Sequence, residues 1–143
     1  MLKPVGLWWR RAISIQGLAQ HAAPRDGQFP RDPAELAKVP GVGQYVSNAI
    51  QLFQHDIARP LLDVNMARVL ERYLRPHLLV DIRHDPWLQA AAAWMVRCEN
   101  PVTANWAVLD HAALTCVART PRCDACVLNH GCNWRRAANL PAA

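Results

Sequence analysis

With 143 residues, 52% of them hydrophobic and 19% charged, the chain has enough apolar content for one ordinary domain or two small ones, and its composition argues against disorder. Its longest apolar run, around Leu88 to Val96, is far too short to cross a membrane, and the residues after Met1 lack the apolar run of a secretory signal. The net charge of +5 suits a polyanionic partner without specifying one, and a cytoplasmic, reducing setting is expected.

In chain order, Gly6-Leu7-Trp8-Trp9-Arg10-Arg11-Ala12 leads into a predicted helix that runs to about His21. Ile13, Leu18 and Ala19 join the Trp pair on its apolar side, so the helix and its indoles are expected to pack in a core. Pro24 to Pro33 is a connector that Gly27, Pro30 and Pro33 keep from being helical. Asp32 is a predicted N-cap, with Pro33 at the first helical position and Glu35 three residues beyond the cap, opening a short helix over 34–38. After the turn Val39-Pro40-Gly41-Val42-Gly43 comes a helix from Gln44 to about Gln54, with Val46, Ala49, Ile50 and Phe53 on its buried side. Two glycines in such a turn let backbone approach an anion closely, a DNA phosphate for example. A plain corner between two helices needs the same residues.

Gln54 to Pro60 reads as a polar link. Asp63 is placed to cap a helix from Val64 to about Leu74. Arg68, Arg72 and Arg75 share one general side of that helix, where they either reach phosphate or face solvent, with solvent the favoured reading. Asp85-Pro86 opens a further helix to about Cys98, in which Ala90 to Val96 reads as buried packing and Cys98 as a core thiol. Thr103 is the expected cap of the last long helix, Ala104 to about Thr115, which delivers Cys116. Cys116, Cys123, Cys126 and Cys132 then follow at intervals of six, two and five residues, close enough for four thiolates to meet at one inorganic centre. One C-x-x-C with two outlying thiols departs from the paired knuckles of a zinc ribbon. Spacing alone leaves an iron–sulfur cluster and a structural zinc in balance, with disulfides a distant third. Arg119 and Arg122 inside this loop, and Arg135 and Arg136 after it, are either phosphate contacts that read no sequence or a solvated basic surface.

The cysteine loop, the Val39–Gly43 hairpin and the segment Leu62-Asp63-Val64-Asn65 occur in the order found in the helix-hairpin-helix DNA glycosylases. The chain resembles that superfamily, which includes endonuclease III, the A/G-specific adenine glycosylases and the thymine mismatch glycosylases. The resemblance implies an all-α, two-lobed fold, with a partial six-helix barrel carrying the hairpin over residues 1–60 and a helical iron–sulfur cluster domain over 61–143. It implies a [4Fe–4S] cluster on Cys116, Cys123, Cys126 and Cys132, and a monovalent cation at the hairpin. Double-stranded DNA containing a mispaired or damaged base is the implied partner, and a membrane is not.

By the same resemblance, Asp63 matches the catalytic Asp, with Asn65 and Arg68 also in pattern. Tyr45 stands where glycosylase/lyases carry a Lys whose amine forms a Schiff base. A phenol cannot form that imine, so a monofunctional, water-using enzyme is expected. Gly41, Val42, Gly43, Arg119 and Arg122 are the implied DNA contacts, and Leu7 matches a residue that wedges into the duplex where the target base leaves. Several helices precede the Gly6-Leu7 motif in the family. The chain therefore looks truncated on its N-terminal side, with apolar surface left exposed or covered by a second chain. Thymine or uracil opposite guanine is the favoured target, because the chain ends soon after Cys132 without the further domain of adenine glycosylases. Those enzymes also use a glutamate acid from the region absent here, so adenine excision is the alternative. A non-catalytic DNA-binding module and a zinc-stabilised helical adaptor are the remaining classes. The implied location is the cytoplasm, with the nucleoid as the site in a bacterium.

Overall fold

Capping and breaking residues set the helix boundaries. The computed structural model describes residues 6–74 and 81–138, and among them every regular element is helical. The chain divides into two compact units, one up to Ile57 and one from Ala58 onward.

The first unit contains α1 (Trp8–Ala22), α2 (Pro33–Leu36) and α3 (Gln44–His55). Asp32 caps α2 by accepting from the Ala34 amide at 2.9 Å, and Glu35 accepts from Lys38 Nζ at 2.6 Å. The C-terminal end of α3 holds the connector: Gln54 accepts from the Phe29 amide at 2.7 Å and donates to the Gly27 carbonyl at 3.0 Å. His55 lies 3.0 Å from the Phe29 carbonyl, and the Phe29 ring stacks on His21. These contacts order a stretch that its own prolines leave without a hydrogen-bond ladder.

Burial in this unit departs from the periodicity in two places. No residue of α1 is buried, and Trp9 is 63% exposed, so α1 is not the core helix expected. At about 100° per residue, Trp8, Trp9, Ile13 and Ile15 fall within about 160° of the helix circumference, so they share one broad apolar side, and that side stays exposed. On α3 the buried residues are Gln51 and Leu52, whereas Val46, Ala49 and Ile50 are half-buried and Phe53 is exposed. Gln51 tolerates burial because its amide donates to the Ser47 hydroxyl at 3.2 Å and to the Ser47 carbonyl at 3.4 Å.

The second unit is arranged about α4 (Val64–Leu74), which packs on α5 (Pro86–Met95), α6 (Pro101–Leu114) and α7 (Asn133–Ala138). Leu62, Met66, Ala67 and Leu70 meet Leu88 and Ala92 in one core cluster. Met66 and Leu88 are fully buried, each worth about 1.5–3 kcal/mol of transfer free energy. Leu88, Ala92 and Val96, four residues apart, make the inner stripe of α5 and its end, and the small Ala92 lets α4 approach. Trp94 lies about 200° from Ala92 and faces out at 66% exposure, so the run around it is only half buried.

Two expected features shift for one reason. Asn100, not Thr103, caps α6: its side chain accepts from the Thr103 amide at 2.9 Å, and Pro101 takes the first helical position. Asn is a strong N-cap and Pro lacks the amide that this position cannot use. Because α6 starts early and α5 ends at Met95, Cys98 falls in the link between them and is exposed, not a core thiol.

Candidate functional site

Asp63 sits at the start of α4. Its Oδ1 accepts from the backbone amides of Asn65 at 2.9 Å and Met66 at 2.8 Å, while its carbonyl accepts from Ala67 at 2.9 Å. Those are N-cap bonds, as expected. The second oxygen, Oδ2, accepts from Asn65 Nδ2 at 2.8 Å. Three donors thus fix the carboxylate in orientation, and its half-buried oxygens keep acceptor capacity for a further donor such as water.

The approach to Asp63 is fixed by a residue with no sequence signal. Asn105 of α6 is fully buried; it accepts from the Leu61 amide at 2.7 Å and donates to the carbonyls of Arg59 at 3.0 Å and Pro101 at 2.8 Å. One side chain therefore pairs three main-chain groups and ties the extended segment before Asp63 to the first turn of α6.

From Asn65 the bonds continue towards the cysteine loop. Arg68 Nη1 donates to Asn65 Oδ1 at 3.1 Å, its Nε to the Cys116 carbonyl at 2.8 Å and its Nη2 to the Ala112 carbonyl at 3.0 Å. One turn further on, Arg72 is buried and donates to the carbonyls of Val117 at 2.9 Å and Ala118 at 2.8 Å. Neither arginine faces solvent, contrary to expectation; Arg75 lies outside the described residues. The last turn of α6 and the loop after it present carbonyls that α6 no longer satisfies, and α4 answers them with guanidinium groups. Two arginines four residues apart on the helix after Asp63 were the available signal. What they face depends on a loop more than forty residues away.

All four loop cysteines line one pocket of about 410 Å³, counting the space that opens to solvent, together with Arg72, Tyr73, His111, Asn129 and Trp134. Short 3-10 turns at Cys123–Ala125 and Asn129–Gly131 bring the last three thiols round, and Cys126 Sγ lies 3.6 Å from His111 Nε2. Burial pushes the Cys123 thiol up, Arg135 opposes that, and the other three cysteines add to the rise. Among the described residues, no three His, Cys, Asp or Glu side chains are placed to hold one metal ion. Four soft thiolates that line one pocket are a donor set that fits an iron–sulfur centre.

Arg119 and Arg122 are exposed on this loop, and Arg135 pairs with the highly exposed Asp124 at 2.7 Å, a surface contact worth little. In the first unit, Gly41 has φ +84, and a Cβ there would lie 2.6 Å from Ser14 Cβ. Glycine is therefore required at the hairpin by both conformation and the approach of α1. Gly43 caps α3 in extended conformation without a side-chain bond, so nothing projects over the first-turn amides from that position. Val42 is half-buried, and Tyr45, in that first turn, is 43% exposed. Leu7, at the N-cap of α1, has φ +44 and is 70% exposed.

Residues 116–132 match the iron–sulfur binding domain of endonuclease III. The chain is 34% identical to the thymine-DNA glycosylase of Aeropyrum pernix, over 92% of its own length and 61% of that protein. It is also 34% identical to the adenine DNA glycosylase of Mycolicibacterium smegmatis, over 85% of this chain and 40% of that one. The solved structure of a thermostable thymine-DNA glycosylase superposes with a TM-score of 0.78 at 25% identity, covering 92% of this chain and 61% of the other. The chain thus spans about three-fifths of the thymine-directed relative and two-fifths of the adenine-directed one.

Proposed function

Because the chain belongs to the helix-hairpin-helix superfamily of DNA glycosylases, we propose that it hydrolyses the N-glycosidic bond of a mispaired base in duplex DNA and so begins base-excision repair. Thymine or uracil opposite guanine is the preferred target in this reading. The carrying observation is Asp63: a carboxylate locked by three donors and tethered, through Asn65 and Arg68, to the loop that bears the four cysteines.

The target nucleotide leaves the stack, at less cost where it is mispaired. As the bond from C1′ to the base nitrogen breaks, its electron pair departs with the base, which takes up a proton, and positive charge develops on the sugar. Asp63 stabilises that charge without having to reorganise. Water adds to C1′ and gives up its proton to Asp63 or to solvent, leaving an abasic site. Tyr45 lines the base pocket and offers no amine for an imine. Gly41, Val42 and Gly43 seat a phosphate, with a monovalent cation at the hairpin carbonyls, while Arg119 and Arg122 meet the backbone and Leu7 fills the gap left by the base. Cys116, Cys123, Cys126 and Cys132 hold a [4Fe–4S] cluster, which when bound supplies rigidity to the loop. The exposed apolar side of α1 suits a covering polypeptide such as a second chain. Adenine excision is the second reading, favoured by equal identity to the adenine-directed relative.

The test is product formation on G·T, G·U, A·G and A·8-oxoguanine duplexes, with alkali used to break abasic sites. Asp63→Asn should lower the rate by a factor on the order of 10²–10³ or more while binding persists. Undiminished product from that variant removes Asp63 from its role, and product on A·G alone would favour the adenine reading.

A further inference from the structure

We propose that Arg72 is a positioning residue for the iron–sulfur centre, a buried cation that clamps both ends of the ligand loop and tunes the centre through the Cys116 sulfur. The proposal rests on the cluster reading given above.

Arg72 retains only 8% of its exposure, although it carries a charge. Its Nη1 lies 3.5 Å from Cys116 Sγ and donates to the Val117 carbonyl, and its Nη2 donates to the Ala118 carbonyl. The guanidinium lies 5.0 Å from the ring centroid of Trp134, two residues beyond the last ligand. Its own backbone carbonyl is 3.5 Å from Cys132 Sγ. A single residue of α4 therefore touches the first and the fourth cysteines and the chain next to each.

The charge explains why an arginine stands there. Carbonyls, a sulfur and an indole face satisfy N–H groups, but they do not neutralise a buried cation, which costs several kcal/mol without a counter-ion. A cluster held by four thiolates is a net anion in the same pocket. Charge and donor geometry then act together. The N–H directed at Cys116 sulfur and the positive charge beside it favour the reduced, more negative form of the centre, which raises its reduction potential. The planar fork that holds two successive carbonyls while lying against Trp134 is something Lys cannot reproduce.

The test uses the full chain, purified with its iron, as wild type and as Arg72→Gln and Arg72→Lys. Measurements are iron and sulfide content, the rate of iron release to a chelator, the reduction potential of the bound centre, and helicity by circular dichroism. Arg72→Gln should release iron about 10–100-fold faster, the usual loss when a residue supporting a metal ligand is removed, and its potential should fall. Arg72→Lys should keep part of the potential, because the charge remains, yet still release iron faster than wild type. Wild-type release and potential in a folded Arg72→Gln would overturn the proposal. If that variant does not fold, wild-type release from Arg72→Lys overturns it instead. Wild-type protein without iron would sink the cluster reading itself, an outcome distinct from failure of the Arg72 role.

Discussion

Arg68 and Asn105 are two residues whose value comes from main-chain groups they satisfy rather than from chemistry of their own. Arg68 joins Asn65 to the carbonyls of Ala112 and Cys116, so Arg68→Met leaves two carbonyls and the Asn65 amide oxygen short of donors. Each half-buried acceptor stripped in this way costs about 1–3 kcal/mol. A melting point at least several degrees lower is expected, together with slower base release at unchanged DNA affinity, because Asn65 then holds Asp63 less firmly. A wild-type melting curve would show the tether to be idle. Asn105→Ala strips the Leu61 amide and the Arg59 and Pro101 carbonyls of a partner at the centre of the unit. Denaturant unfolding should report a loss of about 1–3 kcal/mol or more. Asn105→Asp should not restore it, since a carboxylate cannot donate to the two carbonyls.

At the scale of elements, the hairpin and α1 are bound together by one glycine. Gly41→Ala meets two obstacles: φ of +84, and a Cβ placed 2.6 Å from Ser14 Cβ and 2.8 Å from Ser14 Cα. Strain at such a φ costs about 1–3 kcal/mol before any clash is counted. Adding Ser14→Gly to that variant should recover little, because the Ser14 Cα is itself too close; full recovery of stability in the double variant would contradict the packing. The second unit has a different logic. In it, α4 presents apolar residues to α5 and α6, polar caps at its start, and two arginines to the cysteine loop, so one helix serves the core, the carboxylate and the ligand loop together. Damage to α4 is therefore expected to remove iron and activity in parallel, whereas damage to the hairpin should weaken DNA binding and leave the iron content intact.

For the whole molecule, under the proposed function, the net charge of +5 and the exposed Arg119 and Arg122 bear on the approach to DNA. Phosphate contacts release counter-ions, so affinity should fall linearly on a log–log plot against salt. Replacing Arg119 and Arg122 with Ala should lower the slope by about one for each phosphate left without its arginine, while the preference among mispairs stays unchanged. A slope identical to wild type would take both arginines out of the DNA interface. The exposed apolar residues of α1 belong to this scale too, since the face they form has no covering element among those described in the first unit.

What the sequence determined alone were the features whose physics is local. Asp32-Pro33 and Asp85-Pro86 start helices, Gly41 takes a conformation open to few other residues, Asp63 caps α4, and four cysteines are spaced to share a pocket; each depends on neighbours a few residues away. The tertiary structure decided everything that depends on what stands opposite a face. It turned Arg68 and Arg72 inward to unpaired carbonyls, used Asn105 to hold the segment before Asp63, put Cys98 in a link, and left the indoles of α1 uncovered. A helical repeat tells which residues share a side, but a charged side chain is buried or exposed according to the donors and acceptors that a distant segment brings to meet it.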